Sequence, residues 1–176
     1  AKASMCYSLK SILNQGGYKT NLYTSPHLLS YTERYVFEDK EINEEDLIEL
    51  LTDVEKTLGD DNATLFEILT CAFLKYAENF KDNINIIEAG LFHQFDSTNV
   101  FKENLMTLIG VIHNDHFQWL ENKSIEGVIY EKTAKLLNSN IFINKQVNNE
   151  IRDKIEKSLE KNTSNKYFFG KDFNIE

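Results

Sequence analysis

Apolar residues recur along this chain in two alternating periods, one helical and one suited to strands. In residues 5–14, Met5, Leu9, Ile12 and Leu13 fall at helical spacing, and Gly16-Gly17 then supplies a left-handed stop. YKTNLYT (18–24) reads as a strand, followed by a proline-bearing loop and a short edge strand RYVF (34–37). Asn43 is the expected N-cap of a helix running to residue 58, with Leu47, Ile48, Leu51 and Val54 on its apolar face. Thr64-Leu65-Phe66-Glu67 has the T-x-x-E form of a capping box and opens a helix to about residue 79. NIIEAG (85–90) reads as a buried strand, and LMTLIGVI (105–112) is short enough to be another. A helix over 124–137, a strand at 141–143, a helix over 148–160 and a strand at 166–169 complete the order.

Strands that are mostly continuous apolar runs, alternating with helices, predict an α/β fold: a mostly parallel sheet with helices on both faces. Ligands of such sheets sit at the carboxyl ends of the strands. The polar clusters fall at such ends: Thr24 to His27, Glu88 to Asn99, and His113 to His116.

Composition narrows the function. A net charge of −9 over 176 residues argues against nucleic acid, which needs a Lys/Arg excess. No run of about 18 apolar residues is present, so no membrane-spanning helix is expected. Cys6 and Cys71 form neither a metal spacing nor a disulfide framework, which favours a reducing, cytoplasmic setting.

Each cluster has a plain reading beside a chemical one. Pro26, the only proline, stiffens Ser25-Pro26-His27 either as an ordinary turn or to present a hydroxyl or imidazole to a ligand. Glu88 ends a buried strand, where a carboxylate needs an ion-pair partner or a hard cation such as Mg²⁺. Asp96-Ser97-Thr98-Asn99 reads as a polar loop. His93, Asp96, His113 and His116 leave a zinc site open, although H-x-x-H spacing alone is weak. Glu67 closes its own capping box, and Lys132 lies in a helix, where lysine is usually solvated.

Five stretches taken together carry a resemblance: LYTSPHL (22–28), TLFE (64–67), IEAGLFHQFDSTN (87–99), DHFQWL (115–120) and IYEKTA (129–134). With FFGKDF (168–173) and TER (32–34), they resemble the folylpolyglutamate synthase/dihydrofolate synthase family of the Mur-ligase group. The resemblance implies a partial copy, the amino-terminal half, of the family's P-loop-like central ATP-binding domain over residues 1–176. The strand before the phosphate loop and the second domain fall outside this sequence.

It implies an ATP- and Mg²⁺-dependent ligase that adds glutamate to dihydropteroate or folate through an acyl phosphate. By resemblance Ser25, Glu88 and His116 are magnesium ligands, while Lys2 and Ser4 serve the nucleotide. Lys132 matches a lysine carbamylated by CO₂. Thr64, Leu65, Phe66 and Glu67 match one substrate-contacting segment, and Phe95, Asp96 and Ser97 a second.

The sequence departs from the family at its glycines. Of the phosphate loop G-T-N-G-K-G-S only AKAS is present, as Ala1 to Ser4, and G-L-G-G-R reads Gly90-Leu91-Phe92-His93-Gln94. T-N-I-G-L-D-H reads Gly110 to His116, and E-K-A-G reads Glu131-Lys132-Thr133-Ala134. An alanine held in a left-handed backbone costs roughly 1–2 kcal/mol. A non-catalytic remnant, or a metal-binding module without nucleotide, are the alternatives. The strand outside the sequence would leave its sheet neighbours with open edges, which implies self-association.

Overall fold

A computed structural model describes residues 2–174. The chain divides into two compact units, Ala1–Ala89 and Gly90–Glu176.

In the first unit a four-stranded sheet has the order β3-β2-β1-β4. Its strands are β1 (Thr20–Tyr23), β2 (Tyr35–Phe37), β3 (Lys40–Glu41) and β4 (Ile84–Ile87). β1 runs parallel to β4, with Tyr23 opposite Ile87, and antiparallel to β2. Helix α1 (Lys2–Gln15) covers one face, where Cys6, Leu9 and Leu13 meet Leu22, Val36 and Ile86. Helices α2 (Glu44–Leu58) and α3 (Leu65–Ala77) cover the other, against Tyr23, Tyr35 and Phe37. The alternation of Leu22 with Tyr23 and of Val36 with Tyr35 and Phe37 is the period of two that splits side chains between faces. Phe73 of α3 lies at the centre of the aromatic layer, 5.0 Å from the Tyr23 ring and 5.4 Å from that of Phe37. The buried Tyr35 hydroxyl donates to the Leu69 carbonyl at 2.9 Å, and burial pushes its phenol far above the ordinary tyrosine value.

β2 is internal, not the edge strand expected, because β3 pairs with its outer side. Two residues join them, Glu38 and Asp39, with φ of 46° and 72°. Two-residue hairpin turns with positive φ at both central positions favour Asn-Gly there, so Glu-Asp gives no turn signal. The turn is tied from outside. Lys10, itself buried, pairs with Asp39, which also accepts from Asn14 Nδ2 at 2.8 Å, while Lys19 binds Glu38 at 2.9 Å.

In the second unit β5 (Met106–Ile109), β6 (Asn140–Ile143) and β7 (Asn165–Phe168) form an all-parallel sheet in that order. Helices α4 (Ile125–Thr133) and α5 (Asn149–Ser158) share one core with Ile109, Ile141, Ile143 and Phe168. Phe142 and Tyr167, on the alternate face, stack at 4.7 Å. The expected single sheet is therefore two sheets among the described residues, one mixed and one parallel. β4 and β5 are each terminal strands.

Helix α2 begins after its Asn43 cap, and α3 after Thr64, as the sequence predicts. Strands are shorter than their apolar runs. α4 stops at Thr133, since Ala134 is extended and Lys135 has φ 57°. Buried Leu136, beyond that end, is why the apolar pattern runs on.

Candidate functional site

Parallel pairing of β1 and β4 brings two chain segments off the sheet side by side. The Glu88 N–H donates to the Tyr23 carbonyl at 2.9 Å, which places Glu88 and Ser25 at the same carboxyl rim. The Ser25 N–H then donates to Glu88 Oε2 at 3.0 Å. Glu88 is only 4% exposed, so this is a buried carboxylate with a half-buried serine against it. The Ser25-Pro26 peptide is cis.

The amino end of α1 reaches the same rim: the Lys2 ammonium donates to the Ala89 carbonyl at 2.6 Å. Helix amino ends favour anions because their first N–H groups point outward unpaired. Ser4 is exposed two residues further along α1. Ala1 of the AKAS remnant lies outside the described residues. Cys6, one turn on, records the field at this rim. Burial and the Glu88 charge push its thiol up to about 11, and Lys2 opposes them.

The segment Thr64 to Glu67 adjoins the end of β1 through Phe66, whose ring stacks on Tyr23 at 6.1 Å. Glu67 Oε2 accepts from the Thr64 N–H and hydroxyl, both at 2.7 Å, and the Glu67 N–H donates to Thr64 Oγ1 at 3.3 Å. These bonds hold the Glu67 carboxyl below its usual range. Leu65 is 59% exposed at the same helix start.

In the second unit, Asp96 organises the loop at 91–99. It accepts from the Leu91 N–H at 3.1 Å, the Thr98 N–H at 3.0 Å and the Thr98 hydroxyl at 2.6 Å. Phe95 projects outward, 79% exposed, with the Lys135 ammonium 4.5 Å from its ring centre. Ser97 is half-buried in the same loop.

Phe92 joins two further candidates: the Lys132 ammonium lies 5.6 Å from its ring centre, and the His116 ring meets it edge-on at 6.1 Å. Lys132 also donates to the Leu91 carbonyl at 3.3 Å, so it is engaged with the loop rather than simply solvated. His116 has φ 62°, and its Nε2 lies 3.1 Å from Asp115 Oδ2.

Lys2, Ser25 and Glu88 thus meet at one rim in the first unit, while Lys132 and His116 share the Phe92 ring in the second. A carboxylate beside a serine is a hard oxygen donor set, which fits Mg²⁺ rather than a soft metal. The zinc alternative finds no support, since no three His, Cys, Asp or Glu side chains group together among the described residues. His93 is drawn below its ordinary value by burial, and its Nε2 is buried without a hydrogen bond among the described residues.

Sequence reasoning missed two contributors. Ser30-Tyr31-Thr32-Glu33 is a capping box, legible as S-x-x-E, that closes the loop after Ser25. The ring of Phe92 has no local signal, because its partners come from distant segments.

The fold and rim define an α/β protein with a lysine, a serine and a buried carboxylate gathered at the carboxyl ends of parallel strands. The dihydrofolate synthase/folylpolyglutamate synthase of Bacillus subtilis is 36% identical over 140 residues, covering 76% of this chain and 32% of the relative. The enzyme of the same name from Escherichia coli is 34% identical over 119 residues, covering 68% of this chain and 28% of the relative. The chain belongs to the folylpolyglutamate synthase/dihydrofolate synthase family.

It spans about a third of the length of these curated relatives. No protein-family model matches it. Among solved structures, E. coli FolC in complex with DHPP and ADP superposes with a TM-score of 0.87 at 27% identity, over 98% of this chain and 41% of that one. The bifunctional synthase from Yersinia pestis, complexed with AMPPNP and Mn ion, gives 0.87 at 26% identity, over 99% and 42%. No helix among the described residues is long and apolar enough to cross a membrane.

The Thr64–Glu67 box carries a pH dependence. A carboxyl whose folded value is lowered adds stability above its unfolded value of about 4.3, and that stability is lost as pH falls through the folded value. Replacing Glu67 by Gln is expected to flatten the melting temperature between neutral pH and about pH 3. An unchanged profile contradicts the assignment.

Proposed function

We propose that this chain is the Mg-ATP-handling part of a ligase that joins glutamate to a dihydropteroate- or folate-type carboxylate. The observation that carries the reading is the rim where Lys2, Ser25 and buried Glu88 meet, in a chain whose relatives bear that activity in their names. In the reaction, a substrate carboxylate oxygen attacks the γ-phosphorus of ATP and displaces ADP. The amine of glutamate then attacks the acyl carbon and expels phosphate, leaving an amide. Little covalent chemistry falls to the protein, so its work is positioning and electrostatics.

In this reading Lys2, Ser4 and the amino end of α1 bind the nucleotide phosphates. Ser25 and Glu88 hold Mg²⁺, and His116, in the second unit, is a metal ligand by resemblance alone. Magnesium, when bound, spreads the charge of the transferring phosphate. Thr64, Leu65, Phe66 and Glu67 offer one polar-apolar surface to the pterin-bearing substrate, and Phe95, Asp96 and Ser97 a second. The setting is cytoplasmic, consistent with two free cysteines.

With Mn²⁺ as a paramagnetic substitute, ATP present, the Glu88→Gln variant is expected to bind the ion at least ten-fold more weakly, about 1.4 kcal/mol. Its melting behaviour should be near that of the parent. Equal Mn²⁺ affinity in the two proteins removes the ligand assignment.

Carbamylation of Lys132 belongs to the same proposal. It needs the neutral amine to attack CO₂, at a lysine that lies over the Phe92 ring and donates to the Leu91 carbonyl. Carbon-13 NMR at neutral pH with labelled bicarbonate decides it: a carbamate resonance that Lys132→Arg lacks supports the modification, and no such resonance in the parent eliminates it.

Terminal strands β4 and β5 each present a row of N–H and C=O groups along one edge. Self-association through these edges is the expected result. Sedimentation showing a monomer at every concentration rejects that expectation.

A further inference from the structure

The loop from Thr24 to Arg34 has almost no apolar anchorage of its own. Leu28 and Leu29, at its tip, are 89% and 94% exposed. Its shape must come from polar braces, and these converge on two neighbouring residues.

Glu33 makes the first set. Its Oε1 accepts from the N–H groups of Leu29 and Ser30, both at 2.7 Å, and its Oε2 from that of Leu28 at 2.8 Å. Three amides on one carboxylate hold its carboxyl below the usual range. Charge-assisted bonds of this kind are roughly twice as strong as neutral ones.

Arg34 makes the second set. It is 9% exposed, and its Nε–H donates to His27 Nδ1 at 3.0 Å. An imidazole that accepts at Nδ1 carries its proton on Nε2. The His27 ring packs 4.2 Å from that of Tyr31, over which the Arg34 guanidinium also lies at 5.7 Å. At the root of the loop the Arg34 carbonyl accepts from the Thr24 N–H at 3.2 Å. The loop is therefore braced at tip, middle and root, and Ser25 follows the root directly.

We propose that Glu33 is a positioning residue: by gathering the amides at 28–30 beside the Arg34–His27 brace, it holds the loop that sets Ser25 against Glu88. The role rests on the proposed function only in giving Ser25 a task. The mechanical statement stands on the geometry, since Glu33 touches neither Ser25 nor Glu88. Loosening the tip lowers the fraction of molecules in which Ser25 is correctly placed, and apparent affinity for a cation falls by the same fraction.

The test uses the whole chain, with amide exchange followed by NMR and Mn²⁺ binding measured in the presence of ATP. In Glu33→Gln the amides of Leu28, Leu29 and Ser30 should exchange about five-fold faster or more, and the Ser25 amide should follow them. Mn²⁺ affinity should fall by a similar factor while the melting temperature stays near that of the parent. Glu33→Asp, which keeps the charge on a shorter stem, should restore part of both effects, and it serves as the reading variant if the Gln protein does not fold.

Faster exchange at 28–30 with Ser25 unchanged overturns the proposal, because Glu33 then serves the tip alone. Acceleration of all amides with a lowered melting temperature overturns it too, because the role is then general stability. A parent chain that binds no Mn²⁺ removes the metal role of Ser25, a failure of the proposed function. The coupling between residues 28–30 and Ser25 in exchange still decides the positioning role.

Discussion

The parallel ladder between β1 and β4 is the constraint on which the first unit's chemistry depends. Register pairs Tyr23 with Ile87, so the next residues of both strands leave the sheet at the same level. That geometry turns two residues distant in sequence, Ser25 and Glu88, into neighbours bridged by one 3.0 Å hydrogen bond. A register slip would move every side chain of β4 to the opposite face and bury polar Asn85 where Ile86 now packs on α1. The apolar pattern of the strands thus fixes the rim indirectly, through the faces they must bury.

The second unit assembles its candidates differently. Lys132 sits on a helix and His116 on a loop, and they meet through the Phe92 ring rather than through paired strands. Phe92 occupies a position that resembles a glycine of the family's motif. The bulky ring creates contacts that a glycine could not. Asp96 meanwhile acts on backbone N–H groups, so its structural duty and its proposed substrate contact draw on one carboxylate.

What the sequence disclosed followed the range of the interaction. The Asn43 and Thr64 caps were legible because capping joins residues three positions apart. The burial of Glu88 was legible because it ends an apolar run, where the chain leaves a buried strand. The hairpin at Glu38-Asp39 was not, since its acidic residues lack the glycine or asparagine by which such turns are recognised. Strand β3 was missed with it. Strand ends were overextended because apolar residues run past the last paired position into Glu88, Gly110 and the loops beyond. The tie between Phe92 and Lys132 had no local signature at all.

The Glu38-Asp39 turn leaves the chain with a conflict between backbone comfort and attachment. Asn-Gly would suit the φ angles better, yet it would surrender the grips of Lys10 and Lys19. Lys10 and Asn14 fasten the far half of α1 to the hairpin through Asp39, while Lys2 fastens its near end to the rim. The helix is consequently moored at both ends like a strut, and the direction in which its dipole points is set by a hairpin at the opposite pole of the sheet.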